Sequence, residues 1–439
     1  MREKDFNILD FGAVGDGVTD DTPAIISAVN QCAEKGGRVV IDGGRTYRCG
    51  AVQIKDNVKI YIAKGTTLKA SDNLSDYDLF VPSQLNEVKG STWDNCDYAG
   101  RPSKFFLYAE NCSNIALCGE GVIDGNDKIF FGRESKYHIE GKFYPRIPLI
   151  FFENCKNVRI ENLTIEKSGF WTVHLVGCDG VEIENLKIFN DLRLACCDGI
   201  DPDHCKNVTI KNCHIEAADD CIVFKTTQAA QKYGACEHIR VSGCRLVSTS
   251  AAIKFGSESV SDFKDIEISD CIIERSNRGI SFQLRDGGCA SDIKFKNIQI
   301  STRRFSPVEW WGKAEPVVIT SLRRKEQSSL GKIENITFEN IKMNCENGIF
   351  IYGEEIGAIK DVKFSDCSLE LVKKTDWAKN THDIRPCEGK GIIEAPMNII
   401  SATNALDVIF ENFKWSATDE MISEMGEWLY SSESSVKLI

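Results

Sequence analysis

The 439-residue sequence has little histidine and proline, six and ten residues respectively, and no long apolar run. The opening MREKDFNILDFGAVGDG contains no signal-peptide core, and no later segment approaches the length of a membrane span. No lysine- and arginine-rich run occurs, and 53 basic against 65 acidic residues give a net charge of −12. Neither nucleic acid nor a membrane is therefore expected as a partner, while the sequence leaves the oligomeric state open.

Motifs for cofactors and structural metals are also missing. No GxGxxG follows a strand-like run and no phosphate-binding loop occurs, so no cofactor is expected. The 19 cysteines are scattered, odd in number and never paired as CxxC at a zinc-like spacing, which argues against a disulfide scaffold and a metal site. We interpret most of them as buried free thiols and expect a cytoplasmic protein.

What the sequence does contain is an internal repeat. Segments of alternating apolar and polar residues recur every twenty-odd to thirty residues, separated by Asn, Asp or Gly turns. Such a unit cannot bury its own apolar face, so successive copies must stack as coils of a solenoid. The pattern predicts an all-β, single-stranded parallel β-helix that forms one domain over 1–439. Examples are NCKNVRIENLTI from Asn154, HCKNVTIKNCHI from His204 and KIENITFENIKM from Lys332.

Stacking also accounts for the repeated polar and small residues. Equivalent positions on adjacent coils lie about 4.8 Å apart, so Asn162, Asn185 and Asn212 are predicted to form a ladder of bonded amides. Cysteines at equivalent positions are predicted to stack inside the solenoid. These are Cys213, Cys244, Cys271 and Cys367.

Both ends of the domain have features of their own. A strand and a helix within 1–37 are predicted to cover the open edge of the first coil, since DDTPAIISAVNQCAEKGG has an N-cap, an early Pro23 and a final Gly36. Coils with loop insertions are expected over 38–415, and a C-terminal tail over 416–439.

Three acidic residues are spaced to meet on this scaffold. Asp198 precedes Asp219 and Asp220 by about one coil, so the three carboxylates are predicted to converge on one face. Like charges packed together cannot all ionise readily, which pushes one pKa upward and leaves an acid beside a base. Glycosidic bond cleavage requires such a pair. The structural alternative is that these residues only form turns.

Several stretches carry a resemblance to a known family. FGAVGDGVTDDTPAI, SGFWTVHLVGC, CDGIDPDHCKNV, DDCIVFKT and FGSES are similar to glycoside hydrolase family 28, the polygalacturonase family. The resemblance implies a right-handed parallel β-helix that hydrolyses pectic chains with inversion at the anomeric carbon. It runs from about Asp10 to beyond Gly288, with weaker repeats after that.

The resemblance also implies roles for individual residues. Asp219 corresponds to the general acid, and Asp198 with Asp220 to the pair that activates water. Trp171 and His174 match the aromatic residue and histidine that line the sugar site. The structural alternative for these two is a packed Trp beside a core His.

Two family motifs are changed in this sequence. Ser250 stands roughly where the His of the family's Gly-His-Gly belongs, within STSA. Ser281 and Gln283 replace the family's Arg-x-Lys, which binds the galacturonate carboxylate. Because a hydroxyl and an amide cannot supply charge-assisted bonds, we expect a neutral sugar, of galactose, rhamnose or fucose type, at the cleavage site.

Other cations leave an alternative open. Lys254, Arg278 or Arg285 could restore the lost charge from another angle, which would give an exo-polygalacturonase with a rearranged carboxylate site. Lys225, in FKT after the acid pair, either points into the cleft or is a solvated strand residue.

Loop insertions give the expected mode of action. Trp310 and Trp311, in RRFSPVEWWGKAEPVVIT, either form a sugar subsite or fasten a loop. Loops at 84–104, 126–148 and 373–397 are expected to wall one end of the groove, which favours exo action on imported oligosaccharides.

Two rival functions stay open. A polysaccharide lyase would release an absorbing double bond, and a non-catalytic β-helix would bind sugars without turnover.

Overall fold

The computed structural model of the chain describes residues 4–78, 104–141, 146–308 and 310–439. Most of the loop expected at 84–104, and residues 142–145 of the loop at 126–148, lie outside these described residues. The chain forms two compact units, Met1–Ala217 with Gln228–Tyr233 and Ala218–Thr227 with Gly234–Ile439. Each unit consists largely of short parallel strands, and the expected single domain stays a prediction.

The first unit begins with a helix and continues as stacked strands. Helix α1 (Thr22–Lys35) has Pro23 in its first turn and ends at Gly36, as predicted. Short 3-10 helices are Ile8–Phe11, Leu74–Tyr77, Asp127–Phe130 and Gln228–Tyr233. The strands are β1 (Asp5–Asn7), β2 (Asp16–Asp20), β3 (Arg38–Ile41), β4 (Thr46–Cys49), β5 (Val52–Gln53), β6 (Lys59–Ile62), β7 (Thr67–Ala70), β8 (Leu107–Glu110), β9 (Ser113–Gly119), β10 (Val122–Asp124), β11 (Phe131–Glu134), β12 (Ile139–Gly141), β13 (Ile150–Glu153), β14 (Lys156–Glu161), β15 (Thr164–Glu166), β16 (Val173–Val176), β17 (Asp179–Glu184), β18 (Lys187–Phe189), β19 (Ile200–Asp203), β20 (Lys206–Lys211) and β21 (His214–Ala217).

Each full coil of this unit contributes one strand to each of three parallel stacks. Strand β16 pairs with β13 and β19, β17 with β14 and β20, and β18 with β15 and β21. The register places Ile150 beside Val173 and Val173 beside Ile200, and all three are buried. Apolar residues therefore meet apolar residues one coil away, which is what the repeat predicted. Helix α1 packs against β1, β3 and β5.

The second unit contains the same kind of stacking and a short helix, α2 (Asp419–Glu424). Strands β35 and β36 pair antiparallel as a hairpin within the predicted loop at 373–397. The strands are β22 (Ile222–Thr226), β23 (Cys236–Ser242), β24 (Arg245–Ser248), β25 (Ala251–Ser259), β26 (Phe263–Ser269), β27 (Ile272–Ser276), β28 (Arg278–Leu284), β29 (Cys289–Thr302), β30 (Val317–Ser321), β31 (Lys332–Cys345), β32 (Ile349–Gly353), β33 (Ile359–Ser365), β34 (Ser368–Leu371), β35 (Thr381–Asp383), β36 (Ile392–Glu394), β37 (Ile400–Thr403), β38 (Ala405–Glu411), β39 (Lys414–Ala417), β40 (Leu429–Ser432) and β41 (Val436–Leu438).

Aromatic rings form columns inside this second unit. Phe295, Phe338, Phe364 and Phe410 stack with ring centroids 4.8, 4.4 and 4.7 Å apart and nearly parallel planes. A strand spacing of about 4.8 Å brings equivalent rings to this separation. The column therefore reports the register of β29, β31, β33 and β38 directly.

Asparagines occupy the turns of the coils, as expected. The Asn185 amide donates to the Asn162 side-chain oxygen at 3.0 Å, which confirms the predicted ladder at this pair. Asn162, Asn185 and Asn212 have φ values of 63°, 56° and 54°, a left-handed conformation that asparagine tolerates better than most residues. These asparagines therefore have a structural role in the turns.

The end of the chain differs from the expectation. Strand β40 pairs with β37, and β41 pairs with β38, so the segment 416–439 adds a strand to each of two stacks rather than forming a tail. Its repeat is too short and too polar to be recognised by alternation alone. Every described cysteine is a free thiol, and Cys213, Cys244, Cys271 and Cys367 are buried. The predicted cysteine column is interrupted, because Ile298 and Ile341 occupy the equivalent positions on the two coils between Cys271 and Cys367. The expected reducing compartment stays a prediction.

Among the described residues, no helix combines the length and the apolar character needed to cross a membrane.

The aromatic column gives the first testable prediction. Replacing Phe338 with Ala removes a fully buried ring that stacks on both sides, and is expected to lower the free energy of unfolding by about 3 to 5 kcal/mol. Denaturant unfolding of the purified variant measures this loss. Lys294→Ala, on the exposed side of the neighbouring strand, is the control and should be near neutral. A Phe338→Ala loss below about 1 kcal/mol would contradict the stacking argument.

Candidate active site

In the first unit, Trp171 and His174 form a buried aromatic and acidic cluster at the start of β16. Their rings meet edge to face with centroids 4.7 Å apart, and Phe170 stacks on Trp171 at 5.1 Å. The His174 Nε2 atom lies 3.3 Å from an Asp203 carboxylate oxygen, and Asp201 is the neighbour of His174 across the sheet. The sequence pattern pointed to Trp171 and His174 but not to these two acids.

Asp198 lies on the coil that follows Trp171. It is 2% exposed and its backbone carbonyl accepts a hydrogen bond of 2.9 Å from the Thr172 N–H. The buried Asn190 amide donates to the Thr172 hydroxyl at 2.8 Å and to the Cys197 carbonyl at 3.1 Å. The turn that carries Asp198 is thus fixed by hydrogen bonds on both sides.

In the second unit, Asp219 and Asp220 stand directly ahead of β22, as Asp198 stands ahead of β19. Asp219 is half-buried and Asp220 is buried. The Ser248 hydroxyl on the next coil donates to the Asp219 carbonyl at 2.5 Å, and it accepts from the Ser250 N–H at 2.8 Å. Ser250 is therefore one coil away from Asp219, where the changed family motif was expected.

Lys254 forms an ion pair with Asp220. Its Nζ atom lies 2.8 Å from Asp220 Oδ2, while the Ala251 N–H donates to Asp220 Oδ1 at 3.1 Å. Burial lowers the pKa of Lys254, but the charges of Asp220 and Asp219 outweigh burial and the pKa is raised. Lys254 is therefore protonated at neutral pH, and its positive charge offsets the negative charges of these two acids.

A second charged network follows the same strands, and the sequence reasoning missed its acids. Lys225 and Arg324 lie 4.0 and 3.9 Å from the buried Glu258 carboxylate. Arg324 also binds both carboxylate oxygens of Asp286 at 2.8 Å. Burial raises the pKa of Glu258, and the charges of Lys225 and Arg324 oppose this without cancelling it. Glu258 lies within the FGSES stretch. The family resemblance of that stretch is the one sequence signal that could have pointed to Glu258.

Ser281 and Gln283 lie on β28, beside Lys254 and Gly256 of β25. Both side chains are buried, and the Ser281 hydroxyl and Gln283 Oε1 have no hydrogen-bond partner among the described residues. A buried oxygen without a partner is costly, so these two atoms are the ones that water or a ligand hydroxyl would satisfy.

Arg285 is directed away from any sugar site. It is fully buried, and its guanidinium donates to the carbonyls of Leu284, Thr320, Ile384 and Pro386 and to the Thr320 hydroxyl. Burial lowers its pKa to about 9. All five N–H donors are used, so Arg285 anchors the segment 373–397 and has none left for a carboxylate.

Arg278 has a similar position. Its Nε atom lies 3.4 Å from Glu315 Oε2, and its Nη2 donates to the Asp383 carbonyl at 2.5 Å. His382 lies 3.4 Å from the other Glu315 oxygen and stacks on Phe350 at 3.9 Å. Arg278 therefore also fastens the segment 373–397.

The two adjacent tryptophans have different environments. Trp310 is 4% exposed, whereas Trp311 is 41% exposed. The guanidinium of Arg385 lies 5.5 Å from the centre of the Trp311 ring. Trp310 thus packs within its loop, and Trp311 is the member of the pair that solvent reaches.

The Asp220 carboxylate is engaged by donors of the protein itself. Calcium and magnesium take carboxylate oxygens as ligands, but both oxygens of Asp220 already accept hydrogen bonds, one of them from the Lys254 ammonium. The positive charge that a metal would supply is supplied here by a side chain.

The model of the family described as "Glycosyl hydrolases family 28" matches residues 49–389. The chain belongs to glycosyl hydrolases family 28. The predicted family is confirmed, and with it the predicted enzyme class, a glycoside hydrolase.

Comparisons with individual proteins are consistent with this family. A probable polygalacturonase of Vitis vinifera is 26% identical over 318 residues, which is 70% of this chain and 62% of the relative. The chain thus spans less than two thirds of that relative. A hyperthermoactive exopolygalacturonase from Thermotoga maritima superposes with a TM-score of 0.69 at 20% identity, covering 95% of this chain and 93% of the other. A family 28 exopolygalacturonase from Yersinia enterocolitica gives 0.72 at 17% identity, covering 100% and 78%. These structures confirm the predicted right-handed parallel β-helix.

The buried Glu315 in this family 28 chain generates a second prediction. Burial raises its pKa, but the Arg278 charge, the bond and charge of His382 and the Lys313 N–H outweigh burial and lower the pKa to about 2 from a usual 4.5. A lowered carboxyl pKa adds stability above the unfolded value, and that stability is lost as pH falls from 4.5 towards 2.

Unfolding of the parent protein should therefore become easier across this pH range, by up to about 3 kcal/mol from Glu315 alone. Glu315→Gln is expected to be less stable at pH 7 and to show a flatter pH dependence between 4.5 and 2. Denaturant titrations at several pH values measure both. Equal slopes for the two proteins would show that Glu315 is not ionised in this setting.

Proposed function

We propose that this protein hydrolyses a glycosidic bond in a pectic or related oligosaccharide, with Asp219 as general acid and Asp198 and Asp220 activating water. The observation that carries the proposal is the unequal environment of the adjacent acids. Asp220 is buried and balanced by Lys254 at 2.8 Å, whereas Asp219 is only half-buried. A buried acid paired with a cation, beside a more exposed acid, gives the two carboxylates the different environments that glycoside hydrolysis needs.

Asp198 joins the proposal through its position and its motif. It stands two residues ahead of β19, as Asp220 stands two residues ahead of β22, and CDG corresponds to the family's Asn-Thr-Asp region. The aromatic cluster of Trp171 and His174 occupies the coil before it. Inversion at the anomeric carbon is proposed from the family resemblance.

Exo action is proposed from the segment 373–397. Arg278 and Arg285 donate to its backbone carbonyls, and the stacked His382 adds a third attachment. A segment fixed in this way can act as an end wall rather than as a mobile loop. The two superposed structures, both named exopolygalacturonases, are consistent with this mode of action.

A neutral sugar at the cleavage site is proposed from the state of the cations. Lys254 is paired with Asp220, Arg278 with Glu315, and Arg285 with backbone carbonyls. Lys225 faces the buried Glu258. Because these cations are buried as well as engaged within the protein, a sugar carboxylate would meet no exposed positive group among them at the cleavage site, while hydroxyl groups would still find hydrogen-bonding partners.

Removing the proposed general acid is the direct test. Asp219→Asn is expected to lower kcat by at least about 10² to 10⁴, since general acid catalysis contributes on that order. Asp270→Asn, an exposed turn residue that bonds Asn297, is the matched control and should retain activity. An active Asp219→Asn protein would refute the assignment, and sugar binding without turnover by the parent protein would favour a non-catalytic β-helix.

Substrate class is tested with paired aryl glycosides and oligosaccharides. Neutral galactosides, rhamnosides or fucosides are expected to be cleaved faster than galacturonides, and NMR should detect the inverted anomer first. Faster cleavage of galacturonides would favour the exo-polygalacturonase with a rearranged carboxylate site. Internal cleavage of long polymer would contradict exo action, and a product with an absorbing double bond would indicate a lyase.

A further inference from the structure

The backbone on both sides of Arg385 is fixed by hydrogen bonds. The carbonyl before it, of Ile384, accepts from Arg285 Nη2 at 2.9 Å, and the carbonyl after it, of Pro386, accepts from Arg285 Nε at 2.5 Å. Arg285 itself is fully buried. One buried guanidinium thus fixes the chain at the two peptide groups that flank Arg385, and the direction of its side chain is set by the fold.

The Arg385 side chain is held as firmly as its backbone. Its Nε and Nη2 groups donate to the buried Asp383 carboxylate at 3.0 and 2.6 Å, and its guanidinium lies 5.5 Å from the Trp311 ring centre. The side chain nevertheless remains 47% exposed, and Nη1 has no hydrogen-bond partner among the described residues. A guanidinium braced in this way loses little entropy when it binds a further group.

A chain of contacts relates this arginine to the acid pair. Gly312, next to Trp311, packs so closely on Asn277 that an added Cβ would lie 2.8 Å from its side chain. The Asn277 amide donates to the Thr249 carbonyl at 3.1 Å, and the Thr249 hydroxyl donates to the carbonyl of Ala218. Three coils therefore separate Trp311 from Asp219, or about 14 Å at the usual strand spacing. A short oligosaccharide spans that distance.

We propose that Arg385, braced by Asp383 and Trp311, forms a distal subsite that binds the carboxylate of an acidic sugar two or three units from the bond cleaved at Asp219. The inference rests on the proposed function. Asp383 takes the Nε and Nη2 edge of the guanidinium, so a sugar carboxylate would bind the outer edge formed by the Nη1 and Nη2 N–H groups. The exposed indole beside it offers a surface for a pyranose ring. Lys254 is close to two acids, Asp219 and Asp220. Arg385 pairs with one acid, and its Nη1 group has no hydrogen-bond partner among the described residues.

The substrate class follows from the two sites together. The cleavage site takes a neutral sugar, and the distal subsite takes a uronate. The substrate is then a mixed pectic oligosaccharide in which a neutral unit is linked to an acidic stretch, not a uniform polygalacturonate and not a neutral glycan.

Binding to an inactive protein tests the subsite apart from turnover. Calorimetric titration of the Asp219→Asn protein with trigalacturonate and with its carboxyl-reduced form is expected to show tighter binding of the acidic form. Adding Arg385→Gln should weaken binding of the acidic form about tenfold and leave the reduced form unchanged. Arg385→Lys should retain part of the preference, and Trp311→Ala should weaken both forms. Equal binding of the two forms, or an Arg385→Gln effect of equal size on both, would overturn the proposal.

Kinetics separate this inference from the proposed function. On an acidic oligosaccharide with a neutral end, Arg385→Gln alone should raise KM about tenfold with kcat unchanged, and should leave an aryl monoglycoside unaffected. If the parent protein cleaves no glycoside but binds trigalacturonate through Arg385, the proposed function fails and the subsite stands. If it cleaves glycosides and Arg385→Gln changes neither KM nor binding, the subsite fails and the function stands. Thermal unfolding of Arg385→Gln checks that the variant is folded.

Discussion

The parallel pairing of successive coils is the constraint on which this structure depends. Backbone hydrogen bonds fix adjacent coils about 4.8 Å apart, so the nearest neighbour of a side chain is the equivalent residue of the next coil. Phe282 lies parallel to Phe255 with centroids 4.4 Å apart, and Asn185 bonds Asn162 in the same way. Residues that are distant along the sequence thus become columns of like side chains, and a functional site in this fold is built as a column too.

Columns of like residues suit apolar and amide groups but not charges. Carboxylates stacked at this spacing repel one another, and an acid in such a column needs a balancing charge, which a cation from an adjacent coil can supply. Lys254 meets this need for Asp220, and Arg324 meets it for Asp286. The cations near the acids are therefore engaged by the protein itself. Under the proposed function, this limits the charge that the sugar at the cleavage site can carry.

The stacked coils were predictable because alternation and turn residues repeat in every coil, and the same repeat is the basis for the prediction that Asp198, Asp219 and Asp220 converge. Orientation was harder where it depends on a segment outside the repeat. Arg285 follows a core strand and resembles a site cation in sequence, yet it bonds Ile384 and Pro386 about a hundred residues later. Trp310 and Trp311 are equivalent by composition, and only the loop's packing separates them. No local pattern encodes either outcome.

The segment 373–397 therefore connects the proposed substrate specificity with the stability of the protein. Its carbonyls at Ile384 and Pro386 are satisfied by Arg285, so removing that guanidinium would leave buried acceptors unpaired and release the chain on both sides of Arg385. Cations that could have faced a substrate instead hold a segment that presents a different cation to solvent. If Arg385 binds the substrate as proposed, an insertion rather than the repeating coils sets the position at which a cation meets the substrate.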